Sequence, residues 1–156
     1  PPDCFYLRIN DPAQSFTQSD SALRFSLQNP FDLIMFKSPC LYCLELKSTE
    51  GSLTYWSEKF EDKTKKQSFN IRKQQILGLD NASKHNGIIA GFIFNFRKVN
   101  QTYFLSIQKF KDMIDRIEKK SFNLNDVIQS GAVLIEQTLR RKRYIYNVDG
   151  FISSAR

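Results

Sequence analysis

The chain has 156 residues, of which 41% are hydrophobic and 25% charged, the proportions of one soluble globular domain rather than a disordered or fibrous chain. No apolar run approaches the roughly 18 residues of a membrane span, and no secretory or transit signal opens the sequence. Lys and Arg total 23 against 16 Asp and Glu, a net +7 that favours polyanionic partners such as nucleic acid.

Residues 4–9 read as a strand, and residues 10–30, rich in Ser, Gln, Asn and Asp, as a loop. Phe31 to Phe36 is a short apolar strand, Ser38-Pro39 a turn and Leu41 to Lys47 the returning strand, together a hairpin. Gly51 to Ser68 is polar and reads as an irregular or mobile connection. Asn70 is placed to cap a helix running to about Lys84, ended by Asn86-Gly87. Ile88 to Phe96 and Thr102 to Ile107 are strands around a polar turn, and Lys109 to Lys119 is an amphipathic helix with Phe110, Met113, Ile114 and Ile117 on one face. Residues 132–139 fit helix or strand, and Tyr144 to Val148 reads as a strand behind the basic run Arg140 to Arg143. This order predicts an α/β fold with a mixed central sheet flanked by helices. It is read as one domain over 1–156, with a core over about 4–120 and a basic extension, 121–156, packed on it.

Three cysteines are too few, and too odd in number, for a disulfide framework, and fit a reducing cytoplasm. Cys40 and Cys43 are spaced as a CxxC, but residues three apart on a strand point to opposite faces, and His85 is the sole histidine. They read as structural thiols.

The stretch with chemistry in it is Asp32 followed by Glu45-Leu46-Lys47. Alternation puts Glu45 and Lys47 on one face and turns Leu44 and Leu46 into a core, while the hairpin brings Asp32 alongside. Two carboxylates, with the Leu46 carbonyl, offer the hard oxygen donors that suit Mg²⁺, or Mn²⁺ in its place. Such an ion acidifies a water for attack on a phosphodiester, and Lys47 can orient that water or offset developing charge. The bland alternative is a surface Glu/Lys pair. Gln75 shares a helix face with Ile71 and Leu79, where its amide needs a partner; a scissile phosphate would serve, and so would a half-exposed boundary position, whereas Gln74 lies on another face. Lys63, Lys65, Lys66, Arg72 and Lys73 lie before and at the start of this helix, where they can neutralise flanking phosphates, as can Arg140, Arg141, Lys142 and Arg143.

Asp32, Glu45 to Thr49, Asn70 to Ile76, Asn86 to Phe94 and Thr102 to Leu105, taken in this order, resemble the RecU-type Holliday junction resolvases of the PD-(D/E)xK nuclease superfamily, phage relatives included. The resemblance covers roughly residues 28–115. It implies that Asp32 and Glu45 bind Mg²⁺, that Lys47 assists catalysis, that Gln75 lies in the same site, and that a homodimer acts on four-way DNA junctions. The family opens on a helix with an acidic residue near the site, whereas this sequence starts at Pro1-Pro2, so that helix is expected to be absent or to lie outside it. Residues 12–28, where the family carries a basic stalk, hold one basic residue, Arg24. The alternatives are an endonuclease for duplex DNA with the same centre, and a non-catalytic DNA-binding module of the same fold.

Overall fold

The structure, a computed structural model, describes residues 3–9, 29–62, 64 and 67–155. Its strands in chain order are β1 (Phe5–Arg8), β2 (Leu33–Lys37), β3 (Cys40–Thr49), β4 (Leu53–Thr54), β5 (Ile88–Phe96), β6 (Gln101–Ser106), β7 (Ser121–Phe122), β8 (Val133–Ile135), β9 (Gln137–Arg140) and β10 (Arg143–Tyr146). The helices are α1 (Lys73–Ser83), α2 (Ile107–Arg116), α3 (Leu124–Gln129) and α4 (Val148–Ser154). A six-stranded sheet runs in the order β1-β2-β3-β5-β6-β8. Only β3 and β5 are parallel within it, and α1 lies in the crossover that a parallel pair requires. The expected mixed α/β architecture, a central sheet flanked by helices, is the one observed.

Both faces of β3 and β5 are covered, which explains their nearly continuous apolar sequence. Ala90, Phe92, Phe94 and Phe96 pack with Ile76 and Leu79 of α1 and with Phe110, Met113 and Ile114 of α2. The Phe92 and Phe110 rings are 4.5 Å apart between centroids. On the other face Tyr42, Leu44, Phe104 and Ile135 meet Phe151 and Ile152 of α4. Gly91 lets β6 approach on this side. A Cβ there would lie 2.7 Å from the Phe104 ring and would also strike the Leu105 carbonyl oxygen. Gly91→Ala is therefore expected to lower stability by about 1–3 kcal/mol; an unchanged urea midpoint would show that β6 yields freely.

Several elements depart from the sequence reading. Asn70 does not cap the helix: its side chain accepts from the Thr54 N–H (2.9 Å) and hydroxyl (2.8 Å), and α1 starts three residues later. The connection after Gly51 is built rather than irregular. β4 pairs with β7, Tyr55 is buried and bridges to Ile71, and Glu58–Phe60 forms a short helical turn. α2 begins at Ile107 because Ser106 caps it, accepting from the Lys109 N–H. Within residues 132–139 the chain is strand over Val133–Ile135 (β8) and from Gln137 on (β9), not helix, and Val148 opens a helix the sequence did not announce. Cys40 and Cys43 do face opposite cores, and all three cysteines are free. The expectations for residues 10–28 and for Lys63, Lys65 and Lys66 lie outside the described residues. Among the described residues no helix is long and apolar enough to cross a membrane.

Candidate nuclease centre

Asp32 sits immediately before β2. Its N–H donates to the Leu44 carbonyl (3.1 Å), and its Oδ2 accepts from the Leu46 N–H (2.9 Å). The carboxylate thus takes the place of a ladder partner for β3, where β2 has not yet begun. The N–H and C=O of one strand residue project toward the same neighbour, so the Leu46 carbonyl lies on Asp32's side of the strand. Leu46 itself is half-buried rather than a full core residue.

Glu45 is 3% exposed and faces α1. Its Oε1 accepts from Lys47 Nζ at 3.0 Å and from Gln75 Nε2. Gln75 is buried while Gln74 is exposed, as the helix-face assignment requires. The Gln75 amide has both ends engaged by protein, since its Oε1 accepts from the Arg72 N–H at 2.9 Å. The position is buried rather than a half-exposed boundary, and the protein itself supplies the partners that a phosphate was expected to offer: at the third position of α1 the side chain reaches back to the residue before the helix. Burial pushes the Glu45 carboxyl above the usual range. Lys47 is the largest opposing influence, Asp32 adds to the rise, and Arg72 counters it.

The fold brings together Asp32, Glu45, Leu46, Lys47 and Gln75, with Arg72 close by. Lys73 lines the same cleft as Arg72, with its Nζ 4.3 Å from the Trp56 ring centroid. Arg140, Arg141, Lys142 and Arg143 occupy the tip of the β9–β10 hairpin. The influence of Arg72 on Glu45 was missed in the sequence. The signal was there in the Arg72-x-x-Gln75 spacing, which ties the start of the helix to the site.

The site thus joins an Asp just before β2 to a Glu-x-Lys within β3, its Glu buried and its Lys half-buried. The recombination protein U (RecU) family matches residues 31–149. The chain belongs to that family. It is 32% identical over 117 residues, 74% of its length, to the SPbeta prophage-derived uncharacterized protein YotM of Bacillus subtilis strain 168. It spans about half of that relative, 53%. Among solved structures it is similar to Archaeoglobus fulgidus Hjc, a Holliday junction resolvase from an archaeal hyperthermophile. That similarity has a TM-score of 0.46 and 13% identity, and covers 81% of this chain and 80% of that one.

Were Glu45 a metal ligand in a nuclease, Gln75→Ala would reduce cleavage about 10–100-fold, the usual cost of removing a group that orients such a ligand. Gln74→Ala should leave it within twofold of wild type, on the order of a surface change. Equal losses in a single-turnover assay would contradict the arrangement around Glu45.

Proposed function

We propose that this chain is a divalent-cation-dependent, structure-selective DNA endonuclease of the PD-(D/E)xK type, a Holliday junction resolvase acting in the cytoplasm as a single nuclease domain. The observation that carries the reading is the convergence of Asp32, Glu45 and Lys47 on β3 beside the start of β2, with Gln75 behind Glu45. The donor set fits Mg²⁺, with Mn²⁺ as a substitute: two carboxylates and a strand carbonyl are hard oxygen donors, and a carboxylate as deeply buried as Glu45 is poorly neutralised by one ammonium alone. Asp32, Glu45 and the Leu46 carbonyl would hold the ion. Once bound, it supplies a Lewis acid for the phosphodiester and lowers the pKa of the attacking water.

The remaining work belongs to side chains. Asp32 is fixed by the Leu46 N–H and Glu45 by Gln75, so neither carboxylate must reorganise on binding. Lys47 keeps its ammonium beside Glu45, where it can offset negative charge that builds on the phosphate oxygens. Arg72 is exposed at the start of α1, placed to meet a phosphate flanking the scissile one, and Lys73 follows it. The Lys63, Lys65 and Lys66 cluster, just before, is assigned the same role from its place in the sequence.

Resolving a junction needs paired nicks on two strands related by two-fold symmetry. Among the described residues one chain offers one such centre, so the active species is proposed to be a homodimer. Purified protein should cut a mobile four-way junction symmetrically in Mg²⁺ and cut matched linear duplex far more slowly. Equal cleavage of both would favour a duplex endonuclease, and cleavage of neither a DNA-binding module. Light scattering on the junction complex should show two chains; one chain per junction would remove the dimer.

A further inference from the structure

The β9–β10 hairpin forms a two-stranded sheet of its own, with nearly every residue exposed. Its root is tied to the strand that carries Lys47. Ser48 Oγ donates to Asn95 Oδ1 (3.2 Å), Asn95 Nδ2 to Thr102 Oγ1 (2.9 Å), and Thr102 Oγ1 to Gln137 Oε1 (2.8 Å). The second strand is held at its end by the Asn147 N–H on the Glu136 carbonyl (2.8 Å). From Gln137 the ribbon runs about 10 Å to Arg140, three steps of about 3.3 Å each.

The pairing at the tip makes little sense for a ribbon in water. Arg140 lies directly opposite Arg143, and like charges so placed are destabilising. Arg141 adopts φ 57°, a conformation that hairpin turns usually give to Gly or Asn. Among the described residues no carboxylate pairs with any of the four cations. By alternation Arg140 and Arg143 share one face with Ile145, whereas Leu139, Tyr144 and Tyr146 take the other. Tyr146 lies against a cleft also lined by Leu46, Ile93 and Phe151, so its face is turned toward the body. The arginine face is left to the outside.

We propose that this hairpin enters the major groove of the duplex arm next to the scissile bond, with Arg140, Arg141, Lys142 and Arg143 on the phosphates that border it. The inference rests on the reading of the chain as a DNA-acting protein. The major groove, about 12 Å wide, admits a two-stranded ribbon, and phosphates supply the anions that the tip lacks. Its root, hydrogen-bonded through to Ser48 beside Lys47, sets the groove contact at a fixed distance from the cut.

The test is equilibrium binding in EDTA to a four-way junction and to linear duplex over a salt series, with no cleavage involved. Replacing the four cations (Arg140→Gln, Arg141→Asn, Lys142→Gln, Arg143→Gln) should flatten the log–log salt slope by about 3–4, at about 0.9 per contact. Arg140→Gln and Arg143→Gln alone leave the turn intact and should each remove about 0.9. Replacing the three arginines with lysine should keep the slope. The wild-type complex should shield guanine N7 from dimethyl sulfate in one arm, and the quadruple variant should not. An unchanged slope, open guanine N7 in the wild-type complex, or tighter binding to single strands than to duplex would overturn the proposal. Protein that cuts junctions with an unchanged slope sinks the ribbon alone; protein that binds with the expected loss but never cuts sinks the nuclease reading alone.

Discussion

Asp32→Ala and Glu45→Ala are each expected to bring Mg²⁺-dependent cleavage below about one hundredth of the wild-type rate, while DNA binding largely persists. Removing only a group behind a metal ligand already costs about 10–100-fold, and these two carboxylates are the proposed ligands themselves. Neither makes the cationic contacts that dominate affinity for DNA. The conservative variants separate charge from structure. Asp32→Asn keeps an oxygen that can accept from the Leu46 N–H, and Glu45→Gln keeps one for Lys47 and Gln75. Loss of cleavage in both, with unfolding midpoints near wild type, assigns the effect to the missing negative charge. Full cleavage by either alanine variant would remove the centre.

Lys47→Ala is expected to destabilise the fold at neutral pH by about 3 kcal/mol. Breaking a buried ion pair from one side typically costs about 3–5 kcal/mol, and the partial exposure of Lys47, 17% against 3% for Glu45, sets the lower end. The variant should also lower turnover more than metal affinity. The pH dependence follows from Glu45, whose carboxyl burial already holds above its ordinary value of 4.5, with Lys47 the main opposition. Without Lys47 it rises further. A carboxyl raised in the folded state contributes stability that is fully present below the unfolded value and is lost as pH climbs through the folded one. The gap between wild type and variant should therefore be widest at neutral pH and close as Glu45 protonates. Urea unfolding at a series of pH values reads this directly, and a gap that stays constant down to pH about 4 would mean that Glu45 is not the group left unpaired.

The strand that carries Glu45 and Lys47 was legible because both its signals are short-range. Alternation alone placed Glu45 with Lys47, and a turn at Ser38-Pro39 was enough to bring Asp32 back to Leu46. The helix face of Gln75 was equally local. The start of α1 was misplaced because Asn70, a good cap by type, is held by Thr54 sixteen residues away in the chain. Its partner strand β4 is two residues long and pairs with β7, a contact between Leu53 and Phe122 that no local pattern encodes. The same holds for α4: a seven-residue helix beginning at Val148 gains its stability from burying Phe151 and Ile152 on the sheet rather than from propensity. The basic run at 140–143 was visible, but its placement across a hairpin tip depended on strand pairing.

The claim on which the rest depends is that Asp32 and Glu45 form one divalent-cation site. Calorimetric titration of Mn²⁺ into metal-stripped protein at neutral pH measures it without any nuclease activity. The arrangement predicts one Mn²⁺ per chain in the wild type, competed by Mg²⁺, and loss of that binding in both Asp32→Asn and Glu45→Gln while Gln74→Ala binds normally. Wild-type protein that takes up no ion even with DNA present, or carboxylate variants that bind as wild type does, would contradict it.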